Sequence, residues 1–299
     1  MYKISKKCLS CGTCASVCKF NAIKIGFPYI ITDKCTSCGK CAEVCPVFAI
    51  SKVSEAPCEQ LDMSKIPSHI GIIMDGNGRW AQNQGKNRIF GHTKGASRVK
   101  EIVKCANDLG VKHLSLYAFS VENWARPSFE VSALMKLIQS YIINERNALH
   151  AENVVFRLLG RTEGLSKDVI KEIDISTELM KNNTGLTLNL CINYGGRAEI
   201  IDAIKKIIDK GYKSSDITEK LIAENLYCPV LPDLDLIIRT SGEMRTSNFH
   251  LWRAAYSELY FTSVLWPDFD KKELVKAIQT YQNRQRRFGK TQEQVSTQE

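Results

Sequence analysis

No stretch of this 299-residue chain approaches the roughly 20 consecutive apolar residues that a bilayer-spanning helix needs, which argues against a membrane-spanning protein. The opening residues, MYKISKKCLS, lack the apolar core of a secretory leader, so a cytoplasmic chain is expected. Composition shows no extreme either: 44% hydrophobic and 24% charged residues exclude a disordered or fibrous architecture. What the chain does have is more length than one minimal domain needs and an excess of positive charge. The 41 basic residues against 32 acidic ones, +9 in all, favour an anionic partner without choosing among nucleic acid, acidic lipid and phosphorylated small molecule. The basic cluster of Arg284, Arg286, Arg287 and Lys290 reads as a solvated helix end.

Twelve cysteines are present, and eight of them fall within the first 45 residues. Shifting the chain against itself by 27 positions superimposes the run from Cys8 to Cys18 on the run from Cys35 to Cys45, and Ala22-Ile23 on Ala49-Ile50, so the segment is an internal duplication. Each half reads C-x2-C-x2-C-x3-C, the spacing in which three thiolates wrap one cubane and the fourth reaches its neighbour. On that logic Cys8, Cys11, Cys14 and Cys45 hold one [4Fe-4S] cluster, and Cys35, Cys38, Cys41 and Cys18 hold a second. Structural zinc prefers paired C-x2-C knuckles and does not suit this spacing. Residues 1–52 resemble the bacterial two-cluster ferredoxins, a small α+β fold. One departure is Lys19 after Cys18, where Pro46 follows Cys45. Cys58, Cys105, Cys191 and Cys228 are scattered and read as ordinary thiols.

Residues 53–66 lack sustained periodicity and read as a linker; 67–290 form the second domain, and 291–299 a polar tail. Beyond Pro67, apolar runs (Ile70–Met74, Val111–Phe119, Val154–Leu159, Leu186–Asn193, Leu234–Arg239) alternate with helical patterns. The helices are expected near 94–109, 131–148, 167–181, 197–209 and 271–287. This alternation predicts an α/β fold, a mostly parallel sheet flanked by helices, with ligands beyond the carboxyl ends of the strands.

The residues following those strands carry the chemistry. Asp75-Gly76-Asn77-Gly78-Arg79-Trp80 offers two glycines for close approach of backbone amides to a phosphate, an arginine donor and an acid suited to Mg2+. Gly76-x-Gly78-x-x-Ala81 also matches a dinucleotide fingerprint, giving an alternative Fe-S oxidoreductase. The second strand and its acidic residue are missing from that reading. Arg88, Gly91-His92 and Gly95 precede a helix. Ser120-Val121-Glu122-Asn123-Trp124-Ala125-Arg126 follows the second strand, and Asn193-Tyr194-Gly195-Gly196-Arg197 follows another. Arg239 to Phe249 adds Arg245, Thr246 and Ser247. Two diphosphates and a metal would need such a set of donors and acids.

From Ile66 to Lys290 the motifs HIGIIMDGNGRWA, RIFGHTKG, LSLYAFSVENWARP, GLTLNLCINYGGR, DLIIRTSGEMRTSNF and ELYFTSVLWPDF resemble the cis-prenyltransferases. No Asp-Asp-x-x-Asp motif of the unrelated trans-prenyltransferases occurs. The resemblance implies the cis-prenyltransferase fold and condensation of isopentenyl diphosphate with an allylic diphosphate such as farnesyl diphosphate. It implies Mg2+ on Asp75 and Glu258, with Asn123 in the place of the proton acceptor. Gly76, Asn77, Gly78, Arg79, Arg88 and His92 would hold the allylic diphosphate, and Arg239, Arg245 and Ser247 the other, with Thr246 also substrate-binding. Ser120, Val121, Glu122, Asn123, Trp124 and Arg126 lie on the family's active-site loop. His92 reads equally as a helix cap, while Trp80 and Trp124 read first as packing residues and second as covers for a prenyl chain. Met244 stands where some relatives carry histidine. Leu134, Met135, Leu137, Ile138 and Ile142 would line a tunnel for the tail, or form a plain core stripe. A homodimer working beside the inner face of the membrane is implied, with no nucleic-acid partner. Prenyl transfer moves no electrons, so three roles stand open for the cluster module: electron delivery to a redox partner, redox control, and docking. A redox-responsive scaffold with an inactive transferase fold is a further reading.

Overall fold

The computed structural model describes residues 2–5, 7–32, 34–52, 61–286 and 291. Cys58, Arg287, Lys290, most of the expected linker and all but one residue of the expected tail lie outside the described residues. The chain divides into two compact units, Met1–Gln60 and Leu61–Glu299.

In the small unit, strand β1 (Tyr2–Ile4) pairs antiparallel with β4 (Ile50–Lys52), and β2 (Ile23–Lys24) with β3 (Ile30–Ile31). Two single-turn helices, α1 (Thr13–Ser16) and α2 (Lys40–Glu43), start at Gly12 and Gly39, whose φ of 82° and 84° favour glycine. The duplication is visible in space: Tyr2 packs over Gly39 and Tyr29, 27 residues on, over Gly12. The ends of the chain segment thus close each half with a strand from the other. Ile4, Cys14, Cys41 and Ile50 form its core.

The large unit is built on one six-stranded sheet, all parallel, in the order β10-β9-β5-β6-β8-β7. Its strands are β5 (His69–Ile73), β6 (His113–Ser120), β7 (Val155–Leu159), β8 (Thr187–Tyr194), β9 (Leu236–Arg239) and β10 (Glu258–Phe261). Every residue of β5 and β8 is buried, as strands covered on both faces require. The connecting helices are α3 (Asn77–Gln82), α4 (Arg88–Asp108), α5 (Ser128–Ala151), α6 (Lys167–Met180), α7 (Gly196–Asp209), α8 (Glu219–Asn225) and α9 (Lys271–Gln282). The larger apolar cluster contains residues of α4, α5, α6 and α9, whereas Tyr194, Leu234, Ile237 and Phe249 belong to a second cluster.

Three boundaries differ from the sequence expectation. Helix α4 starts at Arg88, six residues early, because the Asn87 side chain accepts the Phe90 N–H and caps it there. Its internal glycines are packing devices: a Cβ on Gly91 would lie 1.9 Å from the Asn77 carbonyl oxygen, and one on Gly95 2.1 Å from Asn77 Oδ1. The last helix stops at Gln282, and ELYF forms a short sheet-edge strand that no apolar run announced.

Candidate active site and thiolate sites

The carboxyl ends of β5, β6 and β9 open on a cavity of about 580 Å3. Asp75, Asn77, His92, Ser120, Glu122, Asn123, Arg126, Arg239 and Ser247, all singled out from the sequence, line it together. Its remaining wall is apolar, with Val99, Leu134, Leu137, Ile138, Tyr141 and Leu190. Of the expected tunnel stripe, Met135 and Ile142 are not part of this wall. A polar rim joined to an apolar wall suits an amphiphile with one charged end.

Asp75 leaves β5 through a tight turn that the Thr240 hydroxyl holds, accepting the Asp75 N–H at 2.9 Å. Its Oδ1 accepts the Gly76 N–H at 2.7 Å and its Oδ2 the Arg239 guanidinium at 3.0 Å. Gly76 has φ 100°, and a Cβ there would strike Leu265. Burial pushes the Asp75 carboxyl up, but hydrogen bonds from Arg239 and Ser241 outweigh it and hold the group below the usual carboxylate range. Arg79 donates to Ser241 at 2.5 Å and stands 3.8 Å from Asp75 and 3.7 Å from Glu243. Arg239 also donates to Ser247 Oγ at 2.6 Å and to the Arg245 carbonyl at 2.5 Å, tying two loops together. Arg245 itself is exposed and pairs with Glu243. Helix α3 is only six residues long, so the positive charge here comes from side chains.

On the opposite side of the cavity a residue not foreseen from the sequence organises the cations. Glu130, in the first turn of α5 and 7% exposed, accepts Arg126 at 3.1 Å and lies 3.7 Å from Arg88 and 3.9 Å from His92. Gly78 makes room for Arg88, whose guanidinium would sit 2.8 Å from a Cβ there. Burial, Arg126 and Arg88 push the His92 imidazole down to about 4 against the pull of Glu130, so it is neutral at pH 7. The buried polar atoms His92 Nε2, Asn77 Oδ1 and Arg239 Nε lack hydrogen-bond partners, and all three residues line this cavity.

On the third side, Asn123 Oδ1 accepts the Ser120 N–H at 3.1 Å, capping the short 3-10 turn Val121–Ala125. Asn248, also unforeseen, donates to Glu122 at 2.7 Å and accepts the Arg197 N–H at 2.9 Å. Burial raises and the Asn248 bond lowers the Glu122 carboxyl, with the lowering dominant. Val121 packs where Gly195 lacks a side chain. Trp124 donates to Asn193 at 2.7 Å and meets Phe119 edge to face, while Trp80 stacks on Phe90 and donates to Asp268 at 2.8 Å. Both indoles serve packing in this structure. The Thr246 carbonyl accepts the Phe249 N–H, and its side chain is not part of the cavity wall.

Glu258 is not brought to Asp75. It opens β10, in register with Leu236, three residues before the level of Arg239, and it pairs with Arg284 at 2.7 Å. A residue that begins a parallel strand lies at the sheet edge away from the cavity.

The small unit gathers its cysteines in two cavities. One is lined by Cys8, Cys11, Cys14 and Cys45, the other by Cys18, Cys35, Cys38 and Cys41. Amide N–H groups point at sulfur in matched pairs: Ser10 to Cys8 and Ser37 to Cys35, Ala22 to Cys18 and Ala49 to Cys45, at 3.2–3.4 Å. Such donors suit thiolates bound to iron. Among the described residues no helix is long and apolar enough to cross a membrane.

Comparison with known proteins accords with both halves. Residues 73–289 match the Prenyltransf family, undecaprenyl diphosphate synthase, and residues 1–24 and 28–51 match the 4Fe-4S binding domain. An isoprenyl transferase of Fusobacterium nucleatum is 53% identical over 224 residues, 75% of this chain and 96% of that protein. One of Clostridium tetani is 50% identical over 234 residues, 77% of this chain and 92% of that protein. In the crystal structure of lavandulyl diphosphate synthase from Lavandula x intermedia with dimethylallyl diphosphate, the match has a TM-score of 0.74 and 31% identity. It covers 76% of this chain and 100% of that one. A probable undecaprenyl diphosphate synthase of Campylobacter jejuni gives a TM-score of 0.65 at 32% identity, covering 75% and 99%. The chain therefore belongs to the isoprenyl transferase (undecaprenyl diphosphate synthase) family and carries a 4Fe-4S binding module at its N-terminus.

Proposed function

We propose that the chain condenses isopentenyl diphosphate with an allylic diphosphate such as farnesyl diphosphate, giving a cis-polyprenyl diphosphate and free diphosphate. The observation that carries this reading is the single cavity whose rim holds Asp75, His92, Arg126, Arg239 and Ser247 and whose wall is apolar. The allylic C–O bond breaks, the double bond of isopentenyl diphosphate forms the new C–C bond, and one proton leaves the adjacent carbon. Arg79, Arg88, His92 and Arg126 receive the departing allylic diphosphate as fixed donors, while Arg239, Arg245 and Ser247 hold the second diphosphate. His92, kept neutral by burial, would donate from whichever ring nitrogen carries the proton. Asn123 offers an amide with its oxygen engaged by Ser120, so a phosphate oxygen is the better acceptor for the released proton.

Mg2+ fits this donor set: Asp75, kept ionised by its hydrogen bonds from Arg239 and Ser241, would hold it. It would supply charge neutralisation for the leaving group. Two [4Fe-4S] clusters fit the two cysteine quartets and would make the small unit an electron carrier for a redox partner. The exposed Ile201, Ile204 and Ile208, one stripe along α7, support a homodimer.

The test incubates anaerobically purified protein with Mg2+, farnesyl diphosphate and labelled isopentenyl diphosphate, and resolves products by chain length. Elongated cis-polyprenyl diphosphates are expected; their absence with clusters intact would sink the reading.

A further inference from the structure

The small unit has an unbalanced surface. Residues 1–52 contain eight lysines against Asp33 and Glu43, and residues 1–32 contain no carboxylate side chain at all. Lys3, Lys7, Lys19, Lys24, Lys34 and Lys40 are all exposed. Thus +6 of the chain's +9 sits in under a fifth of its length. Loaded clusters would be negative and would offset part of this excess, with Cys11 and Cys38 exposed and Cys14 and Cys41 buried, but Lys7 and Lys24 still project into water.

Apolar side chains project beside them. Ile25 and Phe27, in the turn of the β2–β3 hairpin, are 85% and 89% exposed, and Leu9 and Ile30 are also exposed. These four form one tip. Ser10 Oγ donates to the Gly26 carbonyl at 3.1 Å, fastening the Leu9 loop to the hairpin, and the Ile30 side chain lies beside Gly26. Ile30 pairs directly with Lys24, which places an ammonium stem next to it, and Lys7 stands two residues from Leu9. The other residues of the two paired segments, Ile23 and Ile31, pack against the small unit's core, which leaves Ile25, Phe27 and Ile30 outside it.

We propose that this tip docks on an anionic phospholipid bilayer, with Leu9, Ile25, Phe27 and Ile30 entering the interface and Lys7 and Lys24 meeting lipid phosphates. An apolar cap flanked by lysines on a protruding turn is the chemistry of a peripheral membrane anchor. A specific acidic protein would call for fixed polar registry, whereas residues 1–32 offer cations and apolar groups without any carboxylate. The anchor would bring the chain to the surface that receives a polyprenyl product, a link that rests on the proposed reaction; the docking itself does not.

The test is co-flotation of the anaerobically purified full chain, clusters loaded, with vesicles of phosphatidylcholine alone or mixed with phosphatidylglycerol. Flotation with the anionic vesicles, weakened by salt, is expected. The variant K7Q/K24Q should lower partitioning about 30-fold, at ~1 kcal/mol per lysine. The variant I25S/F27S should lower it at least about tenfold. Both should retain iron content and prenyl transfer to short substrates. A wild-type chain that stays at the bottom of the gradient overturns the proposal, as do two variants that float like the wild type, which would leave the face to a protein partner. A chain that floats but forms no polyprenyl product leaves docking intact and overturns the transferase reading alone.

Discussion

Arg239→Lys separates charge from geometry at the centre of the site. The Arg239 side chain is 5% exposed, and its fork reaches Asp75 Oδ2 at 3.0 Å, Ser247 Oγ at 2.6 Å and the Arg245 carbonyl at 2.5 Å. These partners come from two loops, and a single ammonium on a flexible stem cannot meet them in the same plane. Losing two charge-assisted bonds of about 1.5–3 kcal/mol each, partly regained by the ammonium, leaves a deficit of about 2–3 kcal/mol. That corresponds to a fall in kcat/KM of roughly 30- to 150-fold. Because Arg239 joins the Asp75 side to the Ser247 side, kcat/KM should fall whichever substrate is varied. Adding Ser247→Ala should then cost less than it does alone, since its bond to Arg239 is already gone and only its contact with the diphosphate remains to lose. Steady-state kinetics with each diphosphate varied in turn give the answer, with a thermal scan to verify folding. A variant within threefold of wild type, or one impaired toward a single substrate, would refute the argument that the fork couples the two halves.

Acid should destabilise the large unit before its carboxylates titrate. Burial pushes His69 down to about 4, and burial with His69 and Arg253 pushes His250 well below its ordinary value. Above pH 6.5 both states are neutral; as pH falls toward 4 the unfolded chain takes up protons that the folded one refuses. Stability should drop by about 1.4 kcal/mol per pH unit for each such histidine. Urea midpoints that stay flat between pH 7 and 5 would contradict this. Gly91→Ala should lower the melting temperature and activity together, because its Cβ would lie 1.9 Å from the Asn77 carbonyl oxygen, whereas Gly110→Ala, in open space at φ 83°, should carry only the strain of about 1 kcal/mol. Cys45→Ser should remove the same cluster as Cys14→Ser and spare the one held by Cys41, four residues away. Iron content and electron paramagnetic resonance of the reduced variants test that pairing, and loss of the Cys41 cluster in Cys45→Ser would overturn it.

Much of the architecture is legible in the sequence because parallel strands buried on both faces read as continuous apolar runs. β5 and β8 are such runs, and the informative residues follow them. The start of α4 was hidden by Gly91 and Gly95, which look like breakers in a linear reading. Only the approach of Asn77 explains why a helix tolerates them. Glu130 was equally hidden: an acid four residues after Arg126 resembles an ordinary helix pair until Arg88 and His92 arrive from a different element. The cysteine quartets were legible because ligand spacing is itself the geometry.

The place of Glu258 within one chain follows from the strand register. Ligands of a parallel sheet gather beyond the strands' carboxyl ends, so a residue that follows a strand is a candidate and one that begins a strand is not. ELYF begins β10, and its parallel register sets Glu258 level with Leu236 and Ile70, with Arg284 as its partner. The carboxylates at the cavity end are Asp75, Glu122, Glu130 and Glu243. Glu122 is engaged by Asn248, Glu130 by Arg126 and Glu243 by Arg245. Asp75 is also paired, but with Arg239, the side chain proposed to hold a diphosphate, so of these four acids it is the one that shares its partner with a substrate and the one proposed to hold Mg2+.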